Sequence, residues 1–113
     1  YRALAQAGAD ILTVPSAFAR PTGEAHWHTL LRARAIETGC FVLASGQTGV
    51  HGESRSGPRA TFGHSLAVAP WGEVLFDAGT DESLSFVDLD MAQVAKARAK
   101  VASLTHDRPF SGP

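Results

Sequence analysis

The stretch TGEAHWHTLLRARAIETGC, residues 22 to 40, decides the fold of the chain. Its apolar residues recur at the three- and four-residue spacing of one helix face: Trp27, Leu30, Leu31 and Ala35. Thr22 is a residue type that caps helix N-termini, Glu24 suits the positive end of the helix dipole, and Gly39 is a typical helix stop. The stretch therefore predicts a helix over about residues 23 to 38.

The segments on either side of this helix predict buried strands. Residues 10 to 15 form a short, β-branched run that ends at a proline, and residues 40 to 44 are continuously apolar. A strand, a helix and a strand in this order favour a βαβ crossover with parallel pairing. Residues 1 to 8 have the spacing of the last turns of a helix, so we expect the chain to be part of a longer domain.

A long glycine-containing segment follows the second strand. The sequence GQTGVHGESRSGPRATFG, residues 46 to 63, holds five glycines and many small polar residues, and it predicts an irregular loop. Loops of this length in compact domains are often functional. The segment lacks the lysine and the Ser/Thr ending of a phosphate-binding loop, so we do not expect a nucleotide there.

The last third of the chain predicts a hairpin, one more strand and a helix. Residues 65 to 69 and 73 to 76 flank a Pro-Trp-Gly turn, and residues 84 to 89 have the composition of a strand. Asp90 then precedes an amphipathic helix, and a tail that ends in HDRPFSGP closes the chain.

Composition limits the possible partners. The chain has 113 residues, of which 44% are hydrophobic, and its formal charge is −1 from 10 basic and 11 acidic residues that are scattered along it. This charge pattern supplies no attraction for nucleic acid or for an anionic membrane. A single cysteine and the lack of an apolar run near 18 residues indicate a soluble protein of a reducing, cytoplasmic compartment.

The reactive residue types have structural interpretations that compete with chemical ones. Cys40 could act as a nucleophile, but it opens an apolar strand, where cysteines usually pack as inert groups. His26 and His28 lie two residues apart on the predicted helix and point away from each other, so no metal is expected from this pair. We expect neither a metal nor an organic cofactor anywhere in the chain.

Other candidates follow from position. Phe18 and Thr22 flank the loop after the first strand, where ligands of parallel sheets gather, although loop anchoring and helix capping explain them equally well. Arg34 falls on the packed side of the helix, and we expect it to form a buried ion pair with Glu37 three residues on.

Several motifs in one order resemble the C-terminal half of the nitrilase superfamily of carbon–nitrogen hydrolases. The motifs are PSAF at 15 to 18, TGEAHW at 22 to 27, LLRARAIET at 30 to 38, GHSLAVAPWGEVL at 63 to 75 and VDLD at 87 to 90. Within the superfamily they resemble the branch that includes deaminated glutathione amidase and ω-amidase. The resemblance extends over essentially the whole chain. His28 departs from it, because this position often holds glutamate in the family.

The resemblance implies a four-layer αββα sandwich of which this chain is a C-terminal portion. In such enzymes a cysteine thiolate attacks an amide or nitrile carbon, a glutamate acts as general base and acid, and a lysine stabilises the oxyanion. None of these three residues matches a position of this chain, and Cys40 matches a strand position that is not the nucleophile. We therefore expect the catalytic residues upstream and the 113-residue chain alone to be inactive.

The resemblance also assigns roles to residues of this chain. Phe18 and Thr22 match positions that contact the α-keto acid part of the substrate in the relevant branch. A further group matches positions of the pocket wall or the shell behind it: Ser16, Ala17, His26 and Trp27. Residues 1 to 8 and 23 to 38 match helices that form a homodimer interface in the family, so a second copy and a small amide are the expected partners.

Two alternatives remain at this stage. The chain could be a non-catalytic association module, since it holds no recognised nucleophile, base or oxyanion lysine. It could also belong to a nitrilase-type enzyme that acts on a nitrile or another amide, because much of the pocket would lie outside this chain. A thiol enzyme based on Cys40 would require that side chain to be exposed and activated.

Overall fold

The computed structural model describes residues 1–54, 57–109 and 111–112. Its helices and strands follow one another in the order α1 (Arg2–Gln6), β1 (Ile11–Thr13), α2 (Arg20–Thr38), β2 (Phe41–Ala44), β3 (Thr48–Ser54), β4 (Gly57–Phe62), β5 (Leu66–Val68), β6 (Val74–Asp77) and α3 (Ala92–Lys100), before a short 3-10 helix at Ser103–Thr105. In the described part of the chain, no helix is both long enough and apolar enough to cross a membrane.

Four of the strands form a mixed sheet in the order β1-β2-β5-β6. Strands β1 and β2 pair in parallel, with Leu12 opposite Val42, and β5 and β6 continue the sheet in antiparallel fashion. The parallel β1-α2-β2 crossover predicted from the sequence is confirmed. The hairpin around the Pro-Trp-Gly turn is confirmed as well, because β5 and β6 pair across it.

Helix α2 begins earlier than its capping pattern predicts. Ala19 occupies the N-cap position and Pro21 lies in the first turn, where a missing backbone N–H costs nothing. Thr22 therefore lies inside the helix, where its Oγ1 donates to the Ala19 carbonyl at 3.1 Å. Its prediction as the N-cap is wrong. The predicted stop is confirmed, since Gly39 closes the helix at a left-handed φ of 60°.

The main core lies between α2 and one face of the sheet. Trp27, Leu31 and Ala35 of α2 are buried against β2 and β5, as the helical periodicity predicts. Leu30, which the same periodicity assigned to this face, is 44% exposed, so its prediction as a packed residue is wrong. Additional buried residues of this core come from α1, the strands and the start of β2: Ala5, Leu12, Cys40, Val42, Ala44, Phe62, Leu66 and Val68. The buried face of α2 thus sets the position of the helix over the sheet.

The segment predicted as an irregular loop forms a second, two-stranded sheet. Strands β3 and β4 pair antiparallel, with Thr48 opposite Phe62, and the register shifts between Val50 and Glu53. Glycines interrupt the period-two pattern of this segment, and Gly49 and Gly52 take positive φ values of 97° and 57°. The loop prediction for residues 46 to 63 is therefore wrong over most of its length, and positions 55 and 56 lie outside the described residues.

The strand predicted over residues 84 to 89 is also absent from the described chain. This segment has no regular secondary structure, and the side chains of Leu84 and Phe86 are 82% and 90% exposed. A strand needs a neighbour for its backbone N–H and C=O groups, and none of the described strands pairs with this segment. Residues 84 to 89 therefore have the composition of a strand but no partner strand among the described residues.

The far face of the four-stranded sheet is only partly covered. Phe41 is fully buried there with Ala69 and Val94 in a smaller cluster. Towards β6, Leu43 and Phe76 line an open cleft of about 280 Å³. The described residues therefore form a mixed α/β fold, in which helices pack on a four-stranded sheet and β3 and β4 form a separate two-stranded sheet.

Arg98 joins α3 to three other parts of the fold. Its guanidinium donates to the Ala9 carbonyl at 2.7 Å, to Asp10 Oδ1 at 2.9 Å and to the Thr38 carbonyl at 3.3 Å. It also donates to Cys40 Sγ at 3.2 Å. One side chain thus connects the helix C-terminus of α2, the start of β1 and the start of β2.

We expect Arg98→Ala to lower the free energy of unfolding by about 1–2 kcal/mol, because the two carbonyls lose a charged donor. Chemical denaturation followed by circular dichroism measures the change. Lys96→Ala removes an exposed cation from the same helix and should change stability by less than about 0.5 kcal/mol. Equal effects of the two substitutions would contradict the role assigned to Arg98.

Candidate functional site

A cleft opens at the carboxyl ends of the parallel strands β1 and β2. It has a volume of about 510 Å³, and its walls include Ser16, Ala17, Ser45 and Gln47. Backbone hydrogen bonds hold the two walls together, from Ser16 N to the Ser45 carbonyl and from Gln47 N to the Ser16 carbonyl, each at 2.9 Å. This is the edge of a parallel sheet at which ligands usually bind.

Gly46 is part of this cleft wall and packs against the backbone of Gly63. A Cβ atom at this position would lie 2.3 Å from the Gly63 carbonyl oxygen, which belongs to the backbone and has little room to move. Ser65 Oγ accepts the Gly46 N–H at 3.0 Å. Only glycine at position 46 therefore allows the backbone of the cleft wall to pack this closely against the β4–β5 connection.

Phe18 and Thr22 lie beside this cleft but do not line it. The Phe18 ring packs against Trp27, with 5.1 Å between ring centroids, and its carbonyl accepts the Phe62 N–H at 2.9 Å. Thr22 is exposed on the first turn of α2. Of the predicted site residues, Ser16 and Ala17 are the ones that the structure places in the cleft wall.

Trp27 and His26 lie next to each other on α2 but in different surroundings. Trp27 is 2% exposed, and its Nε1 donates to the His64 carbonyl at 2.8 Å. This bond anchors the β4–β5 connection to the helix. His26 is exposed. The prediction that both belong to the pocket wall or to the shell behind it therefore stays a prediction.

Cys40 is completely buried at the start of β2. Its side chain is 0% exposed, and its Sγ donates to the Ala9 carbonyl at 3.2 Å and accepts from Arg98 at 3.2 Å. A thiolate nucleophile needs access to its substrate. The geometry supports the structural interpretation of this residue.

Cys40 in the folded protein should therefore resist a mild alkylating reagent such as iodoacetamide. We expect no labelling within the time in which the urea-unfolded chain, which holds this one cysteine, reacts completely. Mass spectrometry of both samples measures the added mass. Rapid labelling without denaturant would show that Cys40 is accessible and would revive the thiol-enzyme hypothesis.

Arg34 and Glu37 do contact each other, but at the surface. Arg34 Nη1 lies 2.6 Å from Glu37 Oε1, and the two side chains are 40% and 47% exposed. The hydrogen bond and charge of Glu37 raise the pKa of Arg34 above its ordinary value. The expected burial of this pair is wrong, because Arg34 extends over the Tyr1 ring at 4.8 Å rather than into the core.

A polar cluster that the sequence analysis did not find joins α2 to the sheet. His28 Nε2 lies 2.7 Å from Asp77 Oδ2, and His64 Nδ1 lies 2.9 Å from Asp77 Oδ1. The Gly79 N–H also donates to Asp77 Oδ1, at 2.9 Å. Partial burial acts to raise the pKa of Asp77, but the hydrogen bonds from His28, Gly79 and His64 outweigh it, so the pKa lies below its ordinary value.

Nothing local in the sequence reveals this cluster, because its members come from α2, the β4–β5 connection and β6. In the sequence, the nearest histidine to His28 is His26, from which it points away on the helix. One signal was available: the predicted hairpin strands, residues 65 to 69 and 73 to 76, bring the residues just outside them, 64 and 77, to the same end of the hairpin. The sequence did not show that α2 places His28 beside this end of the hairpin.

Comparison with known protein families identifies the family of this chain. The family model for carbon-nitrogen hydrolases matches residues 1–99. The chain belongs to the carbon-nitrogen hydrolase family. As a carbon-nitrogen hydrolase it resembles human deaminated glutathione amidase, with 48% identity over 107 residues, which are 95% of this chain and 32% of that protein. This chain thus spans about a third of the length of that relative.

Solved structures place the carbon-nitrogen hydrolase chain in the nitrilase superfamily. It superimposes on the Caenorhabditis elegans NitFhit protein with a TM-score of 0.82 and 39% identity, over 96% of this chain and 26% of that one. A Saccharomyces cerevisiae member of branch 10 of the nitrilase superfamily matches with a TM-score of 0.79 and 31% identity, over 97% and 40% of the two chains. The predicted nitrilase-type fold is confirmed.

Proposed function

We propose that this chain is the C-terminal portion of an amidase that acts on deaminated glutathione or a related α-keto ω-amide. The observation that carries the proposal is its 48% identity to human deaminated glutathione amidase across 95% of the chain. In this proposal a cysteine, a glutamate and a lysine upstream of Tyr1 perform the reaction. The fully buried Cys40 supports this placement, because it leaves the described residues without an accessible thiol.

The proposed reaction has two steps. The upstream thiolate adds to the amide carbon, the lysine stabilises the oxyanion, and the C–N bond breaks as the glutamate delivers a proton to the departing ammonia. Water, deprotonated by the same glutamate, then attacks the thioester, and the acid and the free thiol are released. This chain contributes one wall of the pocket to both steps.

The cleft at the ends of β1 and β2 is the proposed pocket wall. Its hydroxyl and amide groups, from Ser16, Ser45 and Gln47, suit a polar substrate that carries carboxylates and an amide. We propose that Phe18 shapes the wall from behind through its contact with Trp27, and that Thr22 reaches the substrate from the exposed first turn of α2.

The proposal is tested by ammonia release from deaminated glutathione. We compare the 113-residue chain with a natural chain that also contains the segment upstream of Tyr1. Activity of the longer chain alone is the expected result. Activity of the 113-residue chain would contradict the upstream placement of the nucleophile, and a folded longer chain that hydrolyses other amides but not this one would contradict the substrate.

A pair of variants in the longer chain tests the role of Thr22. Thr22→Ala should raise KM for deaminated glutathione several-fold with little change in kcat, because it removes a contact made in both ground and transition states. Thr29→Ala, at another exposed threonine of α2, is the matched control. Identical KM values for the two variants would remove Thr22 from the pocket.

We also propose that α1 and α2 form a homodimer interface. Large apolar side chains are exposed on both helices, among them Leu4 and Leu30. The Leu4→Glu/Leu30→Glu variant should halve the mass measured by light scattering. A mass that does not change on substitution would show that the protein does not dimerise through these helices.

A further inference from the structure

The cluster of His28, His64 and Asp77 has the composition of a transition-metal site. Two imidazoles and one carboxylate are ligands that zinc and other first-row divalent ions bind, often with water in the remaining positions. One potential ligand atom from each side chain, a ring nitrogen of His28, a ring nitrogen of His64 and an Asp77 oxygen, lies within 4.8 Å of the other two. We propose that these three side chains bind one divalent transition-metal ion, with Zn²⁺ as the reference case.

The distances are close to those that a bound ion requires. Bonds of about 2.1 Å in a tetrahedral site place neighbouring ligand atoms roughly 3.4 Å apart. The observed separations are 2.7 Å between His28 Nε2 and Asp77 Oδ2, and 2.9 and 3.1 Å between His64 Nδ1 and the two Asp77 oxygens. Each histidine must therefore move slightly away from Asp77 to admit an ion, and the two histidine nitrogens already lie within 4.8 Å of each other.

The surroundings hold two of the ligands in place. Asp77 Oδ1 accepts the Gly79 N–H, which leaves Oδ2 for a metal. The backbone of His64 is held on both sides, because its N–H donates to the Gly79 carbonyl at 2.6 Å and its own carbonyl accepts Trp27 Nε1 at 2.8 Å. Such supporting bonds orient ligands and tune metal affinity.

His64 also adopts a backbone conformation that is unfavourable for a residue other than glycine. Its φ is 52°, in the left-handed region, and among the described non-glycine residues it is the one with positive φ. This conformation costs free energy for a residue with a Cβ, and it persists where the surroundings require it. Here it accompanies a ring stacked on Phe62, with 4.2 Å between centroids, and turned towards Asp77.

The site is accessible to solvent. Between 25% and 37% of each of the three side chains is exposed, so an ion can enter and keep a bound water. Coordination requires the lone pairs of His28 Nε2 and His64 Nδ1, so in the metal-bound state each ring carries its proton on the other nitrogen. The Asp77 carboxylate then no longer accepts hydrogen bonds from the two rings. Instead all three side chains bind the same ion, which links α2 to β6.

Metal titration tests the proposal on the purified protein, in the longest natural form that contains this chain. After removal of metals with a chelator, Zn²⁺ binding is measured by calorimetry and Co²⁺ binding by its visible absorption. We expect one ion per chain and a higher melting temperature with Zn²⁺. His28→Ala and Asp77→Asn should each weaken binding at least tenfold and abolish the increase in melting temperature.

His26→Ala is the matched control, because it removes an exposed histidine two positions away on the same helix. Its affinity for Zn²⁺ should equal that of the unsubstituted protein. Lack of saturable binding at millimolar Zn²⁺ would overturn the proposal. Binding that persists in both His28→Ala and Asp77→Asn, or that is lost in His26→Ala, would also overturn it, since the ion would then lie elsewhere.

Discussion

Replacing Trp27 with alanine is expected to lower the free energy of unfolding by about 3–5 kcal/mol, the largest single effect that we predict for this chain. The side chain is 2% exposed, so its removal leaves a cavity between α2 and the sheet. The Phe18 ring loses its aromatic neighbour at 5.1 Å. The His64 carbonyl loses the hydrogen bond from Nε1 and is left without that donor. Urea denaturation followed by circular dichroism measures the change.

Two further substitutions separate the contributions of Trp27. Trp71→Ala removes an indole that is 50% exposed and lies under Lys100, and it should cost less than about 1 kcal/mol. Trp27→Phe keeps an aromatic ring but loses the donor, so it should fall between the other two. A loss for Trp27→Ala as small as that for Trp71→Ala would show that α2 is not anchored through this residue.

Replacing Gly23 with alanine should lower the free energy of unfolding by about 3 kcal/mol, although alanine is the better helix former. A Cβ at position 23 would lie 2.3 Å from Phe62 Cγ and 2.4 Å from Phe62 Cβ. The second distance matters most, because a Cβ atom moves only with its backbone. The methyl group would therefore push α2 away from β4, rather than turn one ring aside.

Helix propensity predicts the opposite sign for this substitution, which makes the test sharp. On an exposed helix position the change from glycine to alanine gains about 0.5–1 kcal/mol. Ala25→Gly, at an exposed position of α2, should lose that amount and calibrates the propensity effect in this helix. If Gly23→Ala stabilises the protein, the close approach of α2 and β4 is wrong.

The outcome at Gly23 also bears on the candidate site. Phe62 stacks on His64, and the edge of the Phe62 ring faces His28 with 6.0 Å between centroids. Displacing β4 from α2 would separate the two histidines of the polar cluster. We therefore expect Gly23→Ala to weaken Zn²⁺ binding as well, which the same titration measures.

Local pattern was sufficient for the elements that depend on their own residues. The period of Trp27, Leu31 and Ala35 predicted the buried face of α2, and Gly39 predicted its end. The apolar runs on either side predicted β1 and β2 with parallel pairing, and the Pro-Trp-Gly turn predicted the β5–β6 hairpin. These signals work because helix and strand periods are read from neighbours within a few residues.

Local pattern failed where the outcome depended on a distant partner. Glycines hid the alternation of β3 and β4, whose pairing is visible only in the folded chain. Residues 84 to 89 have strand composition but find no neighbour in the described chain. Thr22 resembled a cap, yet Pro21 allowed the helix to begin one turn earlier.

The sequence by itself therefore determined the crossover unit, the family and the packed position of Cys40 in an apolar strand, because each of these follows from short motifs or from residues adjacent in the chain. The tertiary structure alone decided that His28 lies against Asp77, 49 residues further along, and that His64 joins them. It also decided that position 23 must be glycine, since only the packing of α2 on β4 brings Phe62 there. Contacts between residues far apart in sequence depend on how whole elements pack, and no single segment carries that information.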